Sequence, residues 1–474
     1  MLIVFFILSI VISLLIYFIK NDLLTKILLG VFMISHIFIS IYAYKNLGAT
    51  NSFFYKFDAA GVLLSFVLSL LSFTTLYHSS LYLKRHDFIK RHEMVYYSIL
   101  IMLITAMTSA YFAENIALLW VSIEATSLFV SFLIFHDRTK DALEAAWKYL
   151  FVSTVGLAIA FVGILFLSIL ANQNGLSNLS FEKLLSVAQN MDASWLKISF
   201  LLIFTGFSVK MSLFPMYAVA IDAKTMAPSP INALMSTALL NVGFIGIYRI
   251  FVILSHSDAK DWTQNILMIT GVVSIFIVTI QLTKVKRLKR LYAFSSMEHM
   301  GIVAIGLAVG GIGYYAAFLH LIFHSLVKAG LFYQIGQIRQ IFKSNWLKDS
   351  GNYFKLNPIG SLAVILGWIS ILAIPPSGLF ISEFLIFKAM FLTGHIFIAT
   401  FVLLLLTVII FIFSKNIFHL LYDKTPENAN LNGIKINPYE TISQFVLFGF
   451  VIYLGINPPT FFTDLIHNAI AIIN

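Results

Sequence analysis

His320, His324 and Lys328 stand at i, i+4 and i+8 in LHLIFHSLVKAG, so all three fall on one face of a helix. Imidazole titrates near neutrality, and two imidazoles in register with an amine can pass a proton along that face. A single histidine on an apolar face is usually a hydrogen-bonded core residue. Three titratable groups in register make a relay the stronger reading. The two histidines could instead ligate a metal, but an i, i+4 pair is half a site. No HExxH or comparable pattern completes it, so no metal site is expected. Haem ligation by two histidines of one helix fails on geometry, because axial ligands lie on opposite faces of the ring.

Glu124 sits in LLWVSIEATSLFV with apolar neighbours on both sides, and Lys210 lies five residues before Pro215 in GFSVKMSLFP. A charge at the centre of a bilayer costs at least about 2.5–3.5 kcal/mol, so such residues pair, face water or carry ions. A Glu–Lys pair that can separate is a proton switch, because desolvation disfavours the lone charged amine. The alternative is a fixed structural ion pair. Lys148, in EAAWKYLF, lies near the start of its helix and either joins this group or snorkels to the interface. Glu383 follows Pro375 and Pro376 in PPSGLFISEFLIFK, and Glu298 and His299 open a helix in SSMEHMGI. For these last two, interfacial capping and proton carriage are both open. The expected proton path is Glu124, Lys148, Lys210, Glu298, His320, His324, Lys328 and Glu383. No catalytic, cofactor-binding or metal-ligating residue is expected.

The elements that must position these groups are membrane helices. The 474 residues are 59% hydrophobic and 11% charged, with mean hydropathy +0.92. Soluble domains run roughly 45–50% apolar and about 25% charged, so a soluble globular protein is excluded. A disordered chain needs the opposite bias, and an outer-membrane barrel shows short alternating segments rather than long apolar runs. No cysteine is present, which excludes disulfides, thiolate-held iron–sulfur clusters and a cysteine-ligated nickel site in this chain.

Apolar runs of spanning length predict about 14 transmembrane helices. Their approximate limits are 2–20, 27–44, 58–82, 94–112, 115–135, 142–170, 197–222, 229–254, 264–283, 291–310, 312–338, 358–393, 396–421 and 440–458. The first lacks the basic n-region and small-residue cleavage site of a signal peptide, so it counts as a span. The seventh contains Pro215 and the twelfth Pro375 and Pro376, so both should kink or break. Broken backbone at membrane depth survives only where protein buries it or it lines a wet cavity. The connection 171–196 is polar and could carry a short surface helix.

Twenty of the 31 Lys and Arg residues fall in connections after odd-numbered spans. They run from Lys20 through Lys224 and the KVKRLKR loop, including Lys289, to Lys435. Five, Lys45, Lys56, Lys183, Lys197 and Lys260, follow even-numbered spans. This asymmetry makes the net charge of +10 a mark of cytoplasmic loops rather than of nucleic-acid binding. It places both termini outside. Six basic residues remain within spans: Lys148, Lys210, Arg249, Lys328, Lys388 and Lys415, beside the acids Glu124, Glu144, Asp222, Glu298 and Glu383.

The charges repeat. Helices four to eight (93–256) carry a Glu, a Lys and a charged broken helix. Helices nine to thirteen (257–423) carry Glu298, the His–His–Lys face and a second charged broken helix. Five is odd, so the second set is inverted relative to the first, as in ion-coupled transporters with midplane sites. The first three helices (1–92) and the fourteenth (424–474) flank the repeats.

These motifs resemble the antiporter-like membrane subunits of respiratory complex I, Mrp cation/proton antiporters and membrane-bound hydrogenases. The resemblance runs from about residue 60 to about 420. It is carried by the Glu124 helix, AAWKYLFVSTVG, GFSVKMSLFP with APSPINALMSTALLN, KRLYAFSSMEHMGI, HLIFHSLVKAGLF and PPSGLFISEFLIF. Within the family, IEATSL, ALEAAWKY, APSPINAL and SSMEHMG are most similar to the F component of hydrogenase-4-type complexes. The resemblance implies that Glu124 and Lys210 are the paired residues of a first half-channel, with Lys148 beside them. It makes His320, His324 and Lys328 the central relay, and Glu383 the terminal residue of a second half-channel. Many relatives have lysine where Glu383 stands. Some carry a histidine in the eighth helix, which leaves that link here to Ser236, Thr237, Asn241 or water. The long lateral helix of the largest complex I subunit is not expected.

The resemblance thus implies a proton-translocating subunit of a membrane oxidoreductase in the cell (inner) membrane. Membrane and peripheral subunits would be its partners. Iron–sulfur, flavin or nickel–iron centres are expected only in those partners. A sodium/proton antiporter subunit of an Mrp-like complex is the alternative.

Overall fold

The computed structural model describes residues 1–19, 21–52, 54–85, 88–424 and 437–473. Lys20 and Lys435, counted above among cytoplasmic-loop residues, lie outside them. The chain is almost entirely helical. It opens with α1 (Leu2–Phe18) and α2 (Asp22–Lys45), then a two-stranded hairpin of β1 (Thr50–Ser52) and β2 (Tyr55–Lys56). Next come α3 (Ala59–Arg85), α4 (Lys90–Phe112), α5 (Ile116–Ile134) and α6 (Lys140–Gln173). A short α7 (Phe181–Val187) lies in the polar connection, where a surface helix is predicted. The middle of the chain holds α8 (Ala193–Met211), α9 (Ala218–Met226), α10 (Ser229–Met235), α11 (Ala238–Ser255) and α12 (Lys260–Leu282). It continues through α13 (Leu288–Val309), α14 (Ile312–Phe342), α15 (Tyr353–Leu356) and α16 (Pro358–Ile371). The last elements are α17 (Gly378–Leu392), α18 (Ile396–Tyr422), α19 (Ile442–Ile456) and α20 (Thr460–Ile470).

Among the described residues, 12 helices are long and apolar enough to cross a membrane. The expected span at 2–20 is the shorter α1, and the one at 358–393 is split into α16 and α17. Backbone groups at membrane depth have no water to bond, which is why helices dominate. Burial is unequal among them. The spans formed by α10–α11 and by α13 are buried throughout and α14 nearly so, whereas α2, α18 and α19 turn most of their surface outward. The outward residues are large and apolar, among them Phe397, Leu404 and Phe411 of α18. An apolar surface this extensive belongs against lipid or another membrane subunit, as in an integral multi-pass membrane protein. α20 was not anticipated: Phe462, Leu465, Ile466 and Ala469 form its buried face, and it packs on α3.

Among the described residues, three spans are interrupted. Between α8 and α9 the chain turns at Ser212, which takes φ 56°, and passes Pro215. Phe214 N–H, freed from the helix, donates to Ser274 Oγ of α12 at 3.1 Å. Between α16 and α17, Ala373 takes φ 49°, and Ser377 Oγ donates back to the Ser370 carbonyl at 3.2 Å. Proline predicts both interruptions. The third, at Ser236–Thr237 between α10 and α11, has no proline to announce it. There Thr237 leaves helical geometry while its hydroxyl donates to the Ala233 carbonyl at 2.7 Å.

Two contacts hold the bundle around these breaks. α6 crosses α8 at glycines: a Cβ on Gly206 would meet the Gly156 carbonyl and lie 2.5 Å from Ala160 Cβ. Small residues let membrane helices approach backbone to backbone. Gly206→Val is therefore expected to push α8 away from α6, because overpacking costs about 1–3 kcal/mol or more where backbone is the obstacle. The check is the yield of monodisperse protein in detergent, and wild-type yield would contradict the tight crossing. The second contact is Arg249 of α11, whose guanidinium reaches Asp58 Oδ2 at 2.8 Å and the Tyr111 carbonyl at 2.6 Å.

Candidate functional site

α14 runs through the centre of the bundle and carries the His–His–Lys face intact. His320, His324 and Lys328 are each fully buried. Lys328 Nζ donates to the Tyr292 carbonyl at 2.5 Å and to Ser295 Oγ, both on α13. Neither ring nitrogen of His324 has a hydrogen-bond partner among the described residues. Its ring centroid is 5.1 Å from that of His299.

His299 is the residue whose importance the sequence alone understates. It is fully buried rather than interfacial, and its Nδ1 lies 2.9 Å from His320 Nε2 and 3.9 Å from Glu383 Oε1. The hydrogen bonds have a direction. Ser382 Oγ donates its one proton to the Leu379 carbonyl at 2.9 Å. It must therefore accept from His320 Nδ1, which is 3.0 Å away. A neutral His320 then presents a lone pair at Nε2, and His299 Nδ1–H donates to it. Imidazole of α13, imidazole of α14 and hydroxyl of α17 thus form a directed wire. Glu383 stands beside it, and Glu298 and Glu383 both line a cavity of about 600 Å³ between α16, α17 and α18. Glu298 is buried and lies within electrostatic range of both Lys328 and Glu383.

In the first half, Lys210 is buried at the end of α8, where Nζ donates to Tyr149 Oη at 2.9 Å and sits 5.0 Å over that ring. Glu124 is half-buried on α5 and accepts from Thr154 Oγ1 at 3.0 Å. Its Oε2 has no partner among the described residues. Tyr149 and Thr154 both belong to α6. Glu124 and Lys210, expected as a pair that can separate, are held apart by Tyr149 and Thr154 of α6 and remain within electrostatic range.

Other expectations need correcting. Lys148 is exposed, not part of the buried row, and pairs with the equally exposed Glu144 one turn earlier. An amine on an outward face already has a local partner and solvent-side freedom, which is the snorkelling alternative. Asp222 pairs with Arg290 at 2.8 Å near the surface. Lys388 and Lys415 are exposed. Conversely, Lys224 and Lys289, counted as loop residues, are buried. Lys289 Nζ donates to the Ala227 carbonyl at 2.7 Å. Lys224 Nζ donates to Ser212 Oγ at 3.0 Å, across the α8–α9 break, and lies within electrostatic range of Lys328 and His324. It therefore joins the α8–α9 break to the α14 face. Of the residues named for the eighth-helix link, Asn241 places Oδ1 3.1 Å from Ser325 Oγ of α14.

The structure thus brings Lys210, Lys224, Lys328, Glu298 and the three histidines into one buried row, with part-exposed Glu383 at its cavity end and half-buried Glu124 at its other edge. Membrane-buried ionisable groups at this density are costly, and such groups pair with one another, face water or mark ion and proton pathways.

The family described as NADH:quinone oxidoreductase/Mrp antiporter, TM, matches residues 113–409. The hydrogenase-4 component F homolog of Methylacidiphilum infernorum (isolate V4) is 32% identical over 347 residues, 71% of this chain and 73% of that relative. Among solved structures, a chain of the membrane-bound sulfane sulfur reductase, an archaeal respiratory membrane complex, gives a TM-score of 0.85 at 20% identity. That match covers 100% of this chain and 97% of the other. A chain of the Mrp complex from Dietzia sp. DQ12-45-1b gives 0.85 at 15% identity, with the same two coverages. At these identities the structures speak for the fold. The family match spans well over half of the sequence and includes every residue of the buried row, so the chain belongs to the NADH:quinone oxidoreductase/Mrp antiporter transmembrane family.

Proposed function

We propose that this chain is the proton-translocating membrane subunit of a multisubunit oxidoreductase of the hydrogenase-4 or NADH:quinone oxidoreductase type. The observation that carries the reading is the row itself, which runs from Lys210 at the α8–α9 interruption to Glu383 beyond the α16–α17 interruption. In it, Glu124 and Lys210 form the charge switch, with Tyr149 holding the amine. Lys224 passes the state of that switch to Lys328. His324, His299 and His320 relay, and Glu383 loads or releases at the cavity it shares with Glu298.

The division into two inverted repeats at 93–256 and 257–423, flanked by 1–92 and 424–474, is part of this reading. So is placement in the cell inner membrane with both termini outside. Electron transfer belongs to partner subunits, since this chain has no cysteine with which to hold a cluster. An Mrp-like sodium/proton antiporter shares the fold and is the second reading.

The test is a mild-detergent pull-down of the tagged chain from native membranes, with mass spectrometry of what co-purifies. Recovery of iron–sulfur and hydrogenase-like or quinone-reductase-like subunits is the expected result. Recovery of small membrane subunits alone would overturn the oxidoreductase assignment in favour of the antiporter.

A further inference from the structure

The geometry points to a divalent-metal site of the zinc class at His299, His320 and Glu383, with Glu383 on the wall of the α16–α18 cavity and the two histidines buried behind it. Three potential ligand atoms converge there from three helices: His299 Nδ1 of α13, His320 Nε2 of α14 and Glu383 Oε1 of α17. All lie within 4.8 Å of one another. The two measured separations from His299 Nδ1 are 2.9 Å to His320 and 3.9 Å to Glu383. Zinc binds nitrogen and carboxylate oxygen at about 2.0–2.2 Å, so ligands of a tetrahedral site stand roughly 3.3 Å apart. These two spacings bracket that value, and the third, from His320 to Glu383, is within 4.8 Å, so the set closes by an inward swing of the Glu383 carboxylate. This is not the pair suggested by i, i+4 spacing, since His324 is not among the three.

The surroundings favour a metal in four further respects. Ser382 already holds His320 by Nδ1, which leaves the Nε2 lone pair facing the site, as outer groups orient ligating histidines. His299 needs only to carry its proton on the other ring nitrogen, so neither neutral imidazole has to lose one. The cavity leaves room for water as fourth ligand. Glu298 lies on the same cavity, and with Glu383 it can balance the two positive charges.

Metal binding here stands independently of the proton-path reading. Its consequence, arrest of translocation because the ion occupies the His299–His320 hydrogen bond, rests on it. The experiment uses the intact complex containing the full-length chain, titrated with Zn²⁺ alone. Bound zinc is counted by elemental analysis after washing, and its ligands are read by zinc-edge X-ray absorption. One tight equivalent with two imidazoles at about 2.0 Å is expected. That equivalent should disappear in Glu383→Gln and remain in His419→Gln, a surface histidine paired with Asp423. Ser382→Ala, which keeps all three ligands, should weaken zinc about 10–100-fold by freeing His320. Zinc that binds equally to wild type, Glu383→Gln and Ser382→Ala, or shows no imidazole scattering, overturns the site. Zinc bound as expected without slowing proton uptake would keep the site and reject the path through it.

Discussion

Replacing Lys210 or Lys328 with methionine is expected to stop proton translocation while leaving the subunit assembled. Methionine keeps the length and apolar body of the lysine stem, so packing changes little. It removes the one group at each position that can take up and surrender a proton. A positioned proton carrier is worth about 10²–10⁴-fold in rate, so translocation should fall by at least about 10²-fold in each variant. Lys148→Met supplies the contrast, because its amine is exposed and pairs with Glu144 outside the buried row. It should retain most of the wild-type rate. The measurement is substrate-driven acidification in proteoliposomes holding the intact complex, alongside electron-transfer rate and native-gel assembly. Wild-type pumping in Lys210→Met or Lys328→Met would remove the row from the mechanism. Equal loss in Lys148→Met would show that the outward pair belongs to it.

The contrast among these three lysines also shows what a sequence reveals. Run length and charge bias locate the helices, because a spanning helix must be apolar over a fixed distance and loops must hold the basic residues. Proline locates two of three interruptions because it removes a backbone donor wherever it stands. The Ser236–Thr237 interruption escapes, since a hydroxyl bonding back to a carbonyl also occurs in unbroken helices. Helical spacing gives His320, His324 and Lys328 their common face because all three lie on one element. Neither His299 against Glu383 nor α6 between Glu124 and Lys210 can be read this way. Those contacts join residues far apart in sequence, and their distances are set by how α13, α14 and α17 or α5, α6 and α8 cross. Lys224 and Lys289 mislead for a related reason. Charge counting takes a basic residue near the end of an apolar run to be in water, whereas α9 and the start of α13 fold inward and bury theirs. A signal was available for Lys224: it lies nine residues beyond Pro215, where a broken helix leaves backbone at membrane depth.

Arg249→Leu is the variant expected to cost the most stability. Arg249 lies on α11 and reaches across to the C-terminal end of α4, where helix geometry leaves carbonyls without intrahelical donors. Its guanidinium donates to Tyr111 O at 2.6 Å, Ala110 O at 3.4 Å and the Ala113 carbonyl. It also holds Asp58 Oδ2 at 2.8 Å, while Asp58 Oδ1 accepts from Gly61 N–H at the start of α3, at 2.7 Å. One side chain therefore ties the end of α4 to the beginning of α3 and neutralises the carboxylate between them. Leucine fills some of the volume but leaves buried carbonyls without donors and the part-exposed Asp58 carboxylate without its guanidinium, a loss of about 1–3 kcal/mol or more. Lysine restores charge at one point without the planar fork, so Arg249→Lys should recover only part of the loss. The decisive comparison is the double variant Arg249→Leu/Asp58→Asn. Asparagine keeps an oxygen for Gly61 N–H and removes the stranded charge, so the double variant should melt above Arg249→Leu alone. Contacting residues are expected to be non-additive in this way. Thermal unfolding of the purified complex, followed by size-exclusion fluorescence, measures all four proteins. If the double variant is no more stable than Arg249→Leu, the unpaired Asp58 charge is not the source of the loss. The carbonyls of α4 would then account for it, and Arg249 would act as a helix cap rather than an ion-pair partner.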